Sequence, residues 1–173
     1  MNTCSAGELN RSRAANPSYA QKVKSHPEFM AYQIEYQKEV HSIRTIFDTI
    51  INYPNAPINI HLILEDCSRL ASLNTTTLDL FDRLHNMRLD DDSVYSHCLN
   101  VALIARQMGK WLRLTHEELN VLTLCGLFHD IGKIQIPEEI LNKPGKYTEE
   151  EFALIRQHPL AGYNLLKNLP ADE

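Results

Sequence analysis

Residues 28–52 read EFMAYQIEYQKEVHSIRTIFDTIIN. Within them Phe29, Tyr32, Tyr36, Val40, Ile43, Phe47 and Ile50 recur every three or four positions. Side chains at that spacing share one face of an α-helix, whereas a half-buried strand alternates in and out. The stretch therefore predicts one long amphipathic helix from about Glu28 to Asn52. Pro54 and Pro57 end it, because proline lacks the N–H that a helix interior needs. The spacing is also close to a heptad repeat. It suits packing against the chain's own core, and it also suits a homodimer in which a second copy packs along the 28–52 helix.

Outward from that segment the helical period continues. Ile60, Leu64, Cys67 and Leu70 mark a second helix, and Asn74 with the threonines after it breaks the chain. Leu80, Phe81, Leu84 and Met87 mark a short third one. Asp90, Asp91 and Asp92 are expected to open a fourth, since acids suit the positive end of a helix dipole. Its apolar stripe reads Val94, His97, Val101, Ile104, Met108 and Trp111. Thr115 with Glu118 forms a capping box for a fifth helix carrying Leu119, Leu122, Cys125, Phe128 and His129, which Gly132 closes. Thr148 with Glu151 is a second capping box, before a helix whose Phe152 and Ile155 face inward. Pro159 restarts the chain as a further helix to about Lys167. No segment has strand period, so the fold class is all-α.

The 173 residues are enough for a buried core. Apolar residues make up 43%, charged residues 23%, and the net charge is -5. That balance argues against a non-specific duplex nucleic-acid binder, which needs clustered Lys and Arg. Cys4, Cys67, Cys98 and Cys125 contain no C-x-x-C pair and read as free, buried thiols of a cytoplasmic protein. No apolar run approaches membrane-spanning length. Met1 to Asn16 is small and polar, without a signal-peptide core. The expected layout is a disordered tail over 1–20, a helical segment over 21–88 and a chemical domain over 89–173.

Of eight histidines, His26, His41 and His116 read as solvated surface residues. His97 sits on an apolar stripe, where a histidine is either a hydrogen-bonded core residue or a ligand. His129 and Asp130 are adjacent. On a continuing helix they would diverge by about 100°, but at its last turn both can point into one cavity. Imidazole and carboxylate are ligands for Zn, Fe or Mn, and a carboxylate can bridge two ions. Lys133, near a helix C-terminus, would be at home there as a solvated cation. Lys143-Pro144-Gly145 reads as a tight turn, Lys146 as a surface lysine, Tyr163 as core. Gly126 and Gly162 suit close helix approach.

The run His129-Asp130-Ile131-Gly132-Lys133 resembles the metal signature of HD domains. Ile136-Pro137, Ile140-Leu141, Lys143-Pro144-Gly145-Lys146, Thr148-x-Glu150-Glu151 and His158-Pro159-x-x-Gly162 follow it in the order of the bacterial HD-GYP family. His97-x-x-Asn100-Val101-Ala102 resembles that family's first metal histidine. The likeness is strongest from His97 to Leu166 and weaker before. It implies a helical HD-domain bundle, truncated here, preceded by the long amphipathic helix. It implies His97, His129, Asp130 and His158 as metal ligands, with Asp130 bridging, and Lys133 beside the substrate phosphate or the attacking water. The implied cofactor is a divalent transition metal, iron or manganese, as one or two ions. The implied activity is hydrolysis of a cyclic dinucleotide, cyclic di-GMP, to linear pGpG or GMP.

Departures from the family pattern leave alternatives open. The family's His-His-Glu stretch and Gly-Tyr-Pro motif, expected after His158-Pro159-x-x-Gly162, do not occur before Glu173. The expectation is a fragment of a longer protein. Ser93 stands where some members carry a glutamate, which favours a two-metal over a three-metal site. A different HD hydrolase acting on nucleotides, and a non-catalytic or partner-dependent half-domain, are the competing readings.

Overall fold

Helix starts in this chain are written locally, and the computed structural model shows the caps that make them. It describes residues 18–74, 76–88 and 93–170. Ser18, Asn59, Ser93, Thr115 and Thr148 each accept a hydrogen bond from the backbone N–H three residues on. Such caps satisfy donors that a helix start leaves unpaired. Thr115/Glu118 and Thr148/Glu151 form reciprocal capping boxes, as their sequence predicts. The elements are α1 (Tyr19–Lys24), α2 (Pro27–Asn52), α3 (Ile60–Ser72), α4 (Thr77–Arg88), α5 (Val94–Trp111) and α6 (His116–Phe128). A 3-10 turn (Ile131–Gln135), α7 (Glu138–Leu141), α8 (Glu149–Ile155) and α9 (His158–Leu166) follow. There is no strand among the described residues. The tail expected over 1–20 lies outside them as far as Pro17, and Ser18 already caps α1.

The α2 stripe is the spine of the core. Phe29, Tyr32, Tyr36, Val40, Ile43, Phe47 and Ile50 are all buried. At about 1.5–3 kcal/mol for each fully buried large apolar side chain, this face holds α2 to the rest of its own chain. It meets Cys98, Leu99, Ala102 and Leu103 of α5, Ile63, Cys67 and Leu70 of α3, and Leu80, Leu84 and Met87 of α4 in one cluster. Phe47 stacks on Phe128 at 5.7 Å between ring centroids. Helices α5 and α6 lie close together where Gly126 faces Ala102. A Cβ on Gly126 would sit 2.9 Å from the Ala102 Cα, so glycine is required by the approach.

Several faces differ from the sequence reading. The deepest face of α5 is Ser96, Leu99, Ala102, Leu103 and Arg106, not the stripe through Met108 and Trp111, which are exposed. Apolar residues occur all round α5, so periodicity alone does not choose a side. Asp90, Asp91 and Asp92 lie outside the described residues, and the α5 cap is Ser93. Phe81, Phe152 and Tyr163 are exposed, and Cys125 is an exposed thiol while Cys67 and Cys98 are buried. Helix α9 packs on the core through Leu165 and Leu166, and no residue of α8 is buried, which leaves Phe152 and Tyr163 outside. The expected turn at Lys143-Pro144-Gly145 is present, with Gly145 at φ +105°.

Candidate metal centre

Four side chains meet at Asp130. Helix α6 ends at Phe128, His129 keeps helical angles as its C-cap, and Asp130 leaves them at φ -112°, ψ 10°. That turn lets neighbours point into one space. The chain then winds as a 3-10 turn, in which residues three apart eclipse. Lys133 therefore lies over Asp130, its Nζ 2.6 Å from Oδ2. His97 comes from the first turn of α5 and His158 from the start of α9.

The three imidazoles present the same nitrogen. His129 Nε2 is 3.1 Å and His97 Nε2 3.4 Å from Asp130 Oδ2, while His158 Nε2 is 3.2 Å from Oδ1. His129 Nδ1 donates to the Gly126 carbonyl at 2.8 Å, and His158 Nδ1 to that of Ile155 at 2.7 Å. A carbonyl only accepts, so the proton of each neutral ring is on Nδ1 and the Nε2 lone pair faces Asp130. This donor set fits a cation: lone pairs and a carboxylate converge, with the Lys133 ammonium as the nearest positive charge. Among the candidate ligands, His97, His129 and Asp130 lie close enough to share one ion, with ligand atoms within 4.8 Å of one another.

Electrostatics agrees with an ionised carboxylate. Burial of Asp130, 4% exposed, would by itself raise its pKa. The Lys133 hydrogen bond and the nearby His129, Lys133 and His158 outweigh that and hold the carboxyl below its ordinary range. Burial and the Asp130 charge push the Cys98 thiol up to about 12.

Supporting contacts come from residues whose part the sequence reading did not assign. Gly132 touches α9 so closely that a Cβ there would fall 2.0 Å from the His158 carbonyl oxygen and 2.7 Å from the Gly162 nitrogen. This contact sets His158 against Asp130. The close approach expected at Gly162 is met here, whereas Gly132 reads as a helix stop until its partner is known. Tyr36 of α2 donates to Asn100 Oδ1 at 2.8 Å, tying α2 to the turn that follows His97. His97, Asp130 and Lys133 open into a cleft of about 420 Å³, also lined by Leu141, Asn142, Tyr147 and Ile155.

Comparison with known proteins follows this geometry. The family model described as HD domain matches residues 58–173. A cyclic di-GMP phosphodiesterase of Pseudomonas aeruginosa is 39% identical over 48% of this chain and 20% of its own length. A cyclic di-GMP phosphodiesterase response regulator of Xanthomonas campestris is 44% identical over 37% of this chain and 16% of its own. A 3'3'-cGAMP-specific phosphodiesterase of Vibrio cholerae is 45% identical over 37% of this chain and 15% of its own. The matched stretch is thus a fifth or less of each of these relatives. No solved structure matches the chain. With the signature His129-Asp130 at the meeting point of α5, α6 and α9, and the family model spanning α3 to α9, this chain belongs to the HD domain family, in its HD-GYP branch.

Proposed function

We propose that this chain carries part of the active site of a metal-dependent phosphodiesterase that hydrolyses a cyclic dinucleotide, cyclic di-GMP first among the candidates. The observation that carries the reading is the division of Asp130: Oδ2 serves His97 and His129, Oδ1 serves His158. His97, His129, Asp130 and His158 would hold one or two divalent ions, with Asp130 as the shared ligand. Iron or manganese suits these nitrogen and oxygen donors. When bound, such ions supply Lewis acidity toward a phosphate and make water acidic enough to attack near neutral pH. The chain's own residues do the rest. The Gly126 and Ile155 carbonyls hold the rings of His129 and His158 in one tautomer. Lys133, on Asp130 Oδ2, is within the length of its own side chain of a phosphate seated in the cleft, where its charge would offset that of the phosphoryl oxygens. In the net reaction water adds to phosphorus, the P–O3′ bond breaks, and the 3′ oxygen leaves with a proton.

The reading places the protein in the cytoplasm, in keeping with free Cys67, Cys98 and Cys125. No helix among the described residues is long and apolar enough to cross a membrane. A homodimer through α2 would use its outer face, with Met30 and Ile34 exposed, because the Phe29–Ile50 stripe is spent on the chain's own core.

The test is a substrate panel on the protein as its source makes it, loaded with Mn²⁺ or Fe²⁺, with products separated by chromatography. Conversion of cyclic di-GMP to pGpG is the expected result. Hydrolysis of deoxynucleoside triphosphates with cyclic dinucleotides untouched would instead identify a nucleotide hydrolase.

A further inference from the structure

The cleft at Asp130 has charged and uncharged lining. His97, Asp130 and Lys133 form the charged part, while Leu141, Asn142, Tyr147 and Ile155 carry no charge. The uncharged wall is held in shape at several points. Lys143 Nζ is 2.6 and 2.8 Å from the Glu151 carboxylate oxygens, the Tyr147 hydroxyl donates to the Leu141 carbonyl at 3.2 Å, and Thr148 caps α8. Tyr147 is nonetheless 39% exposed, so its hydroxyl is committed while much of its ring is free. The Asn142 side-chain amide, with donor and acceptor, makes no hydrogen bond among the described residues. A volume of about 420 Å³ lies within the range of about 300–1,000 Å³ usual for small-molecule sites.

We infer that Tyr147 and Asn142 form a nucleobase subsite, resting on the phosphate-site reading above: the base stacks on the Tyr147 ring and its polar edge meets the Asn142 amide. An aromatic face held by its own hydroxyl loses little freedom when a planar ring covers it, and it does not discriminate strongly among bases. An amide can pair with a base edge. Tyr147 is thus a residue that binds the base and takes no part in bond breaking.

The experiment compares GMP with ribose 5-phosphate, which lacks the base, as ligands of the Mn²⁺-loaded protein by calorimetry. Wild type is expected to bind GMP about tenfold more tightly, given roughly 1–3 kcal/mol for stacking one base. Tyr147→Ala should erase that advantage and leave ribose 5-phosphate binding as it was, and Tyr147→Phe should keep it. Equal loss for both ligands in Tyr147→Ala, or loss of the GMP advantage in Tyr147→Phe, would mean that Tyr147 only shapes the loop and would overturn the inference. Equal binding of GMP and ribose 5-phosphate by wild type would overturn it while leaving the phosphate site standing. If neither ligand binds the metal-loaded protein, the phosphate-site reading fails and the subsite fails with it.

Discussion

Asp130 and Glu39 are two carboxyls buried to the same extent, 4% and 5% exposed, at different places in one bundle. They respond in opposite directions. Burial pushes Glu39 up to about 7, Asp66 and Glu35 add to that, and Arg69 opposes it only from 3.6 Å. Arg69 divides itself among three acids, at 2.9 Å from both Glu35 and Asp66. At Asp130 burial acts in the same sense, but a lysine at 2.6 Å and the histidines outweigh it. The lesson is that depth alone does not make a carboxylate a ligand. What counts is whether the charges that accompany it into the interior are opposite in sign.

The comparison can be broken first at Asp130. Asp130→Ala should lower metal-dependent turnover on the order of 10³-fold, since the ions are worth several kcal/mol to the transition state. Metal content measured on the same sample should fall too, and turnover that survives would refute the bridging role. Gly132→Ala attacks the same centre from the back. Its Cβ would collide with the His158 carbonyl, so thermal unfolding should show a loss of about 3 kcal/mol together with weaker metal retention.

Glu39 gives the opposite kind of signal. Its folded pKa of about 7 lies above its unfolded value of 4.5. Between those values the folded state keeps a proton that the unfolded state has lost, so stability falls as pH rises through that window and levels off above it. Glu39→Gln should remove that slope and stabilise the protein at pH 8, by on the order of 2–3 kcal/mol. Denaturant melts at pH 5 and pH 8 decide this, and an unchanged slope would mean that Glu39 is solvated. The smallest effect is expected from Arg69→Met. Arg69 is itself half exposed and two of its three acids are open to solvent in part, so stability should change by less than about 1 kcal/mol. The Glu39 titration, followed by carbon NMR of its carboxyl, should still move further up.

Much of this was legible in the residues themselves. The stripe from Phe29 to Ile50 predicted α2 to within a residue of its observed start, Pro27. The Thr115/Glu118 and Thr148/Glu151 boxes marked two helix starts, and the four candidate ligands His97, His129, Asp130 and His158 do meet. Other features were not legible. Glu39 reads as the polar side of an amphipathic helix, and only the packing of α3 against it makes it buried. Tyr163 and Phe152 read as core because they are aromatic at helical spacing, yet both are exposed, with Arg156 over the Phe152 ring and Lys167 over that of Tyr163. Helix α7 is four residues long, too short for any periodic signal.

The sequence by itself determined where helices begin, which class of fold they build and which residue types are available for a metal. Those properties rest on hydrogen bonds and side-chain spacing within about four residues, so they are written locally. Only the tertiary structure decided which side of α5 is buried, that Gly132 brings His158 onto Asp130, and that one buried acid has an ammonium at 2.6 Å while the other shares its arginine with two further acids. Burial and electrostatics sum over neighbours that are distant along the chain. His97, Asp130 and His158 lie about thirty residues apart and become one site only when α5, α6 and α9 pack.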